Sequence, residues 1–573
     1  MPVKEAGEVI VHAFALSCIC PGKPCTIGDR HFVESVLDTP EDRPGSTTLG
    51  ALNLMARFLE IVLDVPASAM PATDGRSREP ASFAAALGAA LPELGAALVS
   101  DLRIDTVTFD RGGALVDAGW RVGVETHGDA RQVTVSSIAT PTPGMTAHTT
   151  IFVAPLDAAG IANALFDAAP APFRDALATA GDLQPAATLV CERSRWPWSR
   201  DGVDAELVVD ANLRETADAA PLLHELRVRT SWPDDADAAP LVDALFARAF
   251  EIAEVVPAFV RLEEAALRGA RGSVTGDDVA AYAAPVDLGR ARTAQSALVA
   301  ICRNVTMQWF GNDASVRANA RTESVHQMRV SQRRLRTAMR IFSRWTDDDW
   351  KTRIGPELKW LRGLLGEVRD LDVFVDSTLP ALAAADLDAA RWTPSLERAK
   401  AERDAARERV REALASPRYA HLALAWLQWL ALLARRDAHD DGAGRPLLRH
   451  AKKRVRRYYR SLANTPKLTT IDETRRHHAR IDAKYLRYTL EFFAPIVSRA
   501  TRTRTARTLS RIQSVLGDGN DAAVALRYLE AMHVEPYQLG FARGWCEAVK
   551  RYAAKEGERL LRELRSPKIS GDD

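Results

Sequence analysis

Two histidines set 151 positions apart each head the same run of cations. The first run reads His326-x-x-Arg329-Val330-x-x-Arg333-x-Leu335-Arg336, the second His477-x-x-Arg480-Ile481-x-x-Lys484-x-Leu486-Arg487. At 100° per residue, His326, Arg329, Arg333, Arg336 and Arg340 fall within about an 80° arc of one helix. Leu335, Met339 and Phe342 take the opposite side. In the second run His477, Arg480, Lys484 and Arg487 share a face, opposite Leu486, Leu490 and Phe493. A solvated charged face is the plain explanation for one such stripe. Here, however, Arg329–Arg344 holds six arginines and no acid. Same-sign neighbours at i,i+4 cost about 0.2–0.5 kcal/mol each, and the pattern recurs. A bound polyvalent anion would relieve that repulsion.

Further cations extend the field. Lys359, Arg362 and Arg369 share a face just before Asp370, and Arg449, Lys452, Lys453, Arg456 and Arg460 share one in the densest basic run of the chain. Arginine forks match phosphate oxygens bidentately, and lysines add point charges. The histidines, with ordinary pKa values near 6.5, can be tipped to the charged form by an anion. Asp370 and Asp521 suit the orientation of cations or the capping of helices. No catalytic residue, metal-ligand set or cofactor motif is assigned.

The elements that position these side chains are repeated too. Leu365-Gly366, Asp370 and Val373 recur at the same offset as Leu516-Gly517, Asp521 and Val524, which marks an internal duplication. From about Thr293 onward, segments rich in Ala, Leu, Arg and Glu predict an all-α region of two pseudo-symmetric four-helix bundles. Before it, β-like and helical segments alternate, which predicts an α+β domain. Strands are expected at Val9–Leu16, Thr106–Phe109, Trp120–Glu125, Arg131–Ser137, His148–Val153, Ala187–Arg193, Ala205–Asp210 and Leu223–Thr230. Helices are expected at Ala81–Leu102, Ala171–Ala180 and Ala239–Val256. The resulting division is 1–270, a linker 271–285, bundles 286–436 and 437–565, and a tail 566–573.

Net charge hides an asymmetry. Residues 1–280 hold 22 Lys+Arg against 40 Asp+Glu, a balance of −18, and residues 281–573 hold 54 against 35, a balance of +19. The basic half is fitted to meet a polyanion, or the two halves attract each other. Six cysteines are too few for a disulfide scaffold and point to a reducing compartment. Cys18, Cys20 and Cys25 cluster without a matching pair at zinc-site spacing. No apolar run approaches the roughly 18–20 residues a membrane span needs. A cytoplasmic protein is expected.

The stretches VHQMRVSQRRLRTAMRIF with LKWLRGLLGEVRDLDVF, then RHHARIDAKYLRYTLEFF with LSRIQSVLGDGNDAAV, resemble the CHAD domain over about 286–565. The resemblance implies two helical bundles around a basic surface that binds inorganic polyphosphate, with attachment to polyphosphate granules. Gln513 and Asn520 stand where the first repeat has Arg362 and Arg369, so unequal contributions are expected. TVTFD at 106–110 and LVDAGW at 115–120 resemble the CYTH fold, the antiparallel β-tunnel of triphosphate-processing enzymes. The Glu-x-Glu-x-Lys signature of that family is missing, with Glu8-Val-Ile-Val-His the nearest stretch. Gly123 and Glu125 align with two tunnel arginines, and Glu225-Leu-Arg227-Val-Arg229 carries arginines where glutamates belong. These departures imply a degenerate, non-catalytic tunnel. The rival readings are a CYTH-type triphosphate hydrolase, a nucleic-acid-binding protein and a protein of another storage granule.

Overall fold

The computed structural model describes residues 57–71, 82–156, 166–167, 169–232, 238–276, 279–439 and 446–569. Eight antiparallel strands come first: β1 (Arg57–Pro66), β2 (Val99–Asp110), β3 (Trp120–His127), β4 (Ala130–Thr142), β5 (Met145–Pro155), β6 (Gln184–Arg200), β7 (Val203–Arg214) and β8 (Leu223–Ser231). Their order is β5-β4-β3-β2-β6-β7-β8-β1, and β1 pairs back onto β5 through Arg57–Glu60. The sheet is therefore a closed barrel with no free edge among these strands. A short β9 (Phe259–Arg261) adds to β1 at Val62–Asp64. Side chains alternate across each strand. On β1, Leu59, Ile61, Leu63 and Val65 pack outward into the main apolar core, leaving Glu60, Val62 and Asp64 to the lumen.

Helices α1 (Phe83–Ala90), α2 (Ala114–Asp117), α3 (Ala171–Ala180), α4 (Ala238–Val255) and α5 (Ala265–Ala270) decorate the barrel. The expected strands from Thr106–Phe109 to Leu223–Thr230 all fall within β2–β8, while Val9–Leu16 and the three clustered cysteines lie outside the described residues. The helix expected over Ala81–Leu102 is corrected. It ends at Ala90, because Pro92 opens a 3-10 turn and Gly95 adopts φ +69°, after which β2 begins. Strand β1 itself is a finding that the sequence reading lacked.

The rest of the described chain is helical: α6 (Ala294–Phe310), α7 (Asp313–Asn319), α8 (Thr322–Ile341), α9 (Gly355–Val373), α10 (Leu379–Ala385), α11 (Thr393–Leu414), α12 (Pro417–His439), α13 (Leu447–Ala463), α14 (Glu473–Phe492), α15 (Ala506–Ala531) and α16 (Pro536–Glu563). Helix α6 packs on α8, α8 on α9 and α9 on α11, and α13 through α16 repeat the sequence of contacts. The duplication extends to local irregularities. The 3-10 turns Ser343–Trp345 and Ala494–Ile496 match, as do the π-helical turns Trp350–Ile354 and Thr501–Thr505.

Helix α12 stands outside the repeat and joins the two halves. It packs on α4, which lies against β1, β7 and β8, so barrel and bundle share one apolar core. Gly144, at the β4–β5 turn with φ +81°, allows a close approach: a β-carbon there would sit 2.5 Å from Leu427 Cδ1. Polar links rim the contact, including Gln428 to Asp243 at 3.2 Å and His421 to Glu254 at 3.2 Å. Among the connecting residues, Ala281 is strapped by the Asn312 side chain through hydrogen bonds of 3.1 and 2.8 Å.

Candidate polyanion site at the seam of the repeats

Helices α8 and α14 meet across the seam between the two halves. Because both follow the same heptad-like plan, apolar stripes turn inward and the cationic faces converge. Arg333 Nε donates to the Tyr488 hydroxyl at 2.6 Å. The Arg487 guanidinium lies 4.4 Å over the Tyr488 ring, the Arg340 guanidinium 4.9 Å over Tyr485, and Lys484 Nζ 5.5 Å over Tyr485. Both tyrosines are buried. Their ring faces offer the cations partial relief.

That relief is incomplete. Burial, then Arg333, Arg480, Arg336 and Arg329, push the Lys484 ammonium down to about 7. Burial lowers Arg329, with Arg333, Arg369 and Arg480 adding to it and Asp370 opposing. Arg480 is lowered by burial and by Arg333, against Asp521 and Asp370. His326 is held below its ordinary range by burial, Arg369, Arg333 and Arg329, and its Nδ1 is buried without a hydrogen-bond partner. His477 is lowered by burial, Arg480 and Lys484. The structure thus brings together His326, Arg329, Arg333, Arg336, Arg369, His477, Arg480 and Lys484. Two aspartates give partial compensation: Asp370 Oδ1 lies 3.3 Å from Arg329 Nη2, and Asp521 acts on Arg480.

The two repeats differ in the side chains they set around the seam. Gln513 accepts from Arg487 Nε at 2.9 Å and Asn520 hydrogen-bonds His477, so both tie down a repeat-two side chain where repeat one adds a cation. Arg362 sits beside Arg336 and falls to about 10 through burial and that neighbour, while Lys359 is exposed on α9. On α13, Tyr458 hydrogen-bonds Arg340, and Arg454 and Arg457 of its own helix act on its hydroxyl. Arg449, Lys453 and Arg456 are exposed on that helix and Lys452 is half-buried. Arg334, off the cationic face, is buried, with Nε to Glu491 at 2.8 Å, Nη1 to Gln308 at 2.9 Å and Nη2 to Asn304 at 2.7 Å.

A family model for the CHAD domain matches residues 300–530. This segment is a CHAD domain. The CHAD domain of the plant Ricinus communis aligns at 26% identity and a TM-score of 0.45, covering 51% of this chain and 99% of that one. PptA from Streptomyces chartreusis aligns at 20% identity and a TM-score of 0.36, over 48% of this chain and 99% of its own. HpAC1 from Hippeastrum, described as an adenylyl cyclase with a dominant triphosphatase activity, aligns at 13% identity and a TM-score of 0.22, over 33% and 87%. Among curated proteins, none matches the chain. No helix among the described residues is long and apolar enough to cross a membrane.

The barrel that precedes the CHAD domain fits a CYTH-like tunnel, and its lumen is filled by ion pairs. Arg193 meets Asp210 at 2.6 Å and Glu125 at 3.0 Å. Arg227 meets Asp210 at 2.6 Å and Glu264 at 3.5 Å. Asp64 takes Arg268 at 2.8 Å and Arg261 at 3.3 Å, both from the segment around α5. Glu206 is shared by Arg195 and Arg229, and His148 pairs with Glu60 at 2.9 Å. Burial would raise Glu60, but His148, Arg227 and Arg229 outweigh it and bring the carboxyl to about 2. Glu225 goes the other way. Burial, opposed by Arg227 and Arg268, lifts it to about 8, and it accepts the Ala265 N–H at 2.5 Å.

The space left beside Thr106, Arg121, Glu225 and Arg227 is about 20 Å³, room for roughly one water. Glu125 is paired, and Arg193 holds its carboxyl below the usual range against the effect of burial. The first described strand carries Glu60-x-Val62-x-Asp64, whereas Glu8-Val-Ile-Val-His lies outside the described residues. No group of three or more His, Cys, Asp or Glu side chains is arranged to hold a metal ion among the described residues.

Proposed function

We propose that this protein binds inorganic polyphosphate along the α8–α14 seam without hydrolysing it, and that it does so in the cytoplasm on polyphosphate granules. One observation carries the reading. Cations from both repeats are crowded until Lys484 falls to about 7, and a linear polyanion laid along the seam would neutralise them together. The CHAD resemblance, whose family binds polyphosphate, supports the same ligand. The polyphosphate-binding set is His326, Arg329, Arg333, Arg336, Arg340, Arg369, His477, Arg480, Lys484 and Arg487. Lys359, Arg362, Arg449, Lys452, Lys453 and Arg456 provide an outer field.

Nucleic acid is the rival ligand, since its phosphates would meet the same cations. Against it, single-stranded binders rely on aromatic faces that stack bases, and here the faces of Tyr485 and Tyr488 are buried beneath cations. Hydrolysis is disfavoured because the lumen spends its arginines on its own carboxylates. The test is competition on the full-length protein between long-chain polyphosphate and single-stranded DNA at matched phosphate concentration. Polyphosphate should displace DNA, with log K falling linearly in log salt. Displacement in the opposite direction would overturn the reading.

A further inference from the structure

The two repeats part company where α9 and α15 begin. The matching π-helical turns Trp350–Ile354 and Thr501–Thr505 fix the register between them. In the first repeat the charges here are paired: Lys351 with Asp348 at 2.9 Å, Arg353 with Asp349 at 2.9 Å, and Glu357 with Arg418 at 2.5 Å. In the second, Arg502 and Arg504 keep the two cations, but Arg499, Ala500 and Thr508 replace the three acids. Arg507 adds a charge where the first repeat has Pro356. From Ser498 to Val515 there are five arginines and no acid. The last described residues are fastened to the same place. The Ser498 N–H donates to the Lys568 carbonyl at 3.0 Å, the Lys568 N–H donates to Thr501 Oγ1 at 2.9 Å, and Val497 bridges Ile569. Arg499, Arg502, Arg504, Arg507, Arg565 and Lys568 are all exposed, and none makes an ion pair among the described residues.

This patch is distinct from the seam. Gln513 marks the seam side of α15, through its bond with Arg487. At 100° per residue, Arg507 and Arg511 lie about 120° and 160° around the helix from it, and Arg511 turns to Glu556 on α16 at 3.7 Å. Charge is all the patch offers. Among the described residues, no large apolar side chain is exposed within 494–515 or 561–569. There is no ring to stack a base and no apolar wedge for a lipid surface, only guanidinium forks that match phosphate oxygens. We propose that the start of α15, with Arg565 and Lys568, is a second polyphosphate-binding surface, so that one molecule holds two stretches of polymer and cross-links chains. The proposal rests on the polyphosphate reading of the seam and adds a second site to it. Once the seam holds a chain, neighbouring phosphates reach the patch at high effective concentration. Each molecule then becomes a junction in a polymer network.

The experiment titrates the full-length protein with short-chain polyphosphate by calorimetry and follows its mixtures with long-chain polyphosphate by light scattering. The parent protein should bind two short chains per molecule. A variant combining Arg502→Ser, Arg504→Ser and Arg507→Ser breaks no ion pair and should keep its thermal melt. It should bind one chain, with the seam affinity unchanged. Arg329→Gln combined with Arg480→Gln should instead weaken the seam and leave the patch. Scattering from long-chain mixtures should rise several-fold with the parent protein and fall back with either variant. A single binding event in the parent protein, unaltered by the serine variant, would overturn the proposal and leave the seam reading standing. Two events that both survive the serine variant would overturn it as well. Failure to bind polyphosphate at all would sink both readings together. Duplex DNA or phosphatidylglycerol vesicles that displace polyphosphate from the patch alone would overturn the proposal by naming a different partner.

Discussion

Arg333 of the first repeat donates its Nε–H to the Tyr488 hydroxyl of the second, 2.6 Å away and 155 residues along the chain. Two turns on along α8, the Arg340 guanidinium lies over the Tyr485 ring. The partners are not symmetric. Where the second repeat has Tyr485, Tyr488 and Glu491, the first has Arg334, Thr337 and Arg340. The second repeat thus supplies the aromatic floor and the carboxylate on which the first repeat's cations rest. The seam is a joint product of diverged copies, and each copy alone would hold half a site.

Removing cations from the crowded seam should weaken binding and spare the fold. Arg329→Gln and Arg480→Gln should each cost about 1.5–3 kcal/mol of polyphosphate affinity if the contact is charge-assisted. The measurement is isothermal titration at fixed salt, with thermal melts as the folding control. Arg334→Gln should behave oppositely, because it breaks a buried pair with Glu491. Its loss should appear as about 3–5 kcal/mol of stability. Normal binding by the Arg329 and Arg480 variants would reduce the face to a solvated one.

Binding should be coupled to proton uptake. In the free protein Lys484 has a pKa of about 7, and His326 and His477 lie below their ordinary range. An anion placed among them favours their charged forms, so each pKa rises on binding and protons are taken up. Affinity should therefore increase as pH falls from 8 toward 6. Titrations at pH 7 in two buffers of different ionisation enthalpy should give a positive number of protons bound. Lys484→Arg should reduce it.

The duplication, the helical class and the cationic faces were legible in the sequence because period and charge are local properties. The helix wheel placed Leu335, Met339 and Phe342 in the core, where they are buried. Arg334 was not legible. It lies off the arc of Arg329, Arg333 and Arg336, and only the packing of Glu491, Gln308 and Asn304 around it makes it structural. Strand β1 was hidden because both its faces are covered: Leu59, Ile61 and Leu63 by helices, and Glu60 and Asp64 by lumen partners. Its alternation therefore carried no solvent signal. The pairing of Glu125 with Arg193, 68 residues away, depends on barrel closure and is invisible to spacing.

Two lumen carboxylates should respond in opposite ways to neutralisation. Asp210 holds Arg193 and Arg227, and these pull its pKa well below the usual range despite burial. Asp210→Asn should cost about 3–5 kcal/mol by leaving buried guanidiniums unpaired. Glu225 is already protonated near neutrality, with a pKa of about 8. Glu225→Gln should change stability by less than about 1 kcal/mol at pH 5. Sign follows from linkage: between the ordinary carboxylate range and 8 the unfolded chain has lost this proton and the folded one keeps it. Glu225 therefore costs stability as pH rises through that window. Urea melts from pH 5 to 8 should show the variant gaining on the parent protein, and both variants should keep their polyphosphate affinity.

The barrel should release no phosphate from ATP or tripolyphosphate. Phosphoryl transfer needs carboxylates free to hold a divalent metal and cations free to meet the charge that develops on the transferring group. In this lumen Asp64 is engaged by Arg261 and Arg268, Asp210 by Arg193 and Arg227, and Glu206 by Arg195 and Arg229. To admit a triphosphate, the segment around α5 would have to withdraw and several buried pairs would have to separate, each at a cost of order 3–5 kcal/mol. Phosphate release by the full-length protein with magnesium or manganese should match the buffer control. Turnover above that control, abolished by Asp210→Asn or by neutralising Glu125, would show that the pairs open and would restore the hydrolase reading.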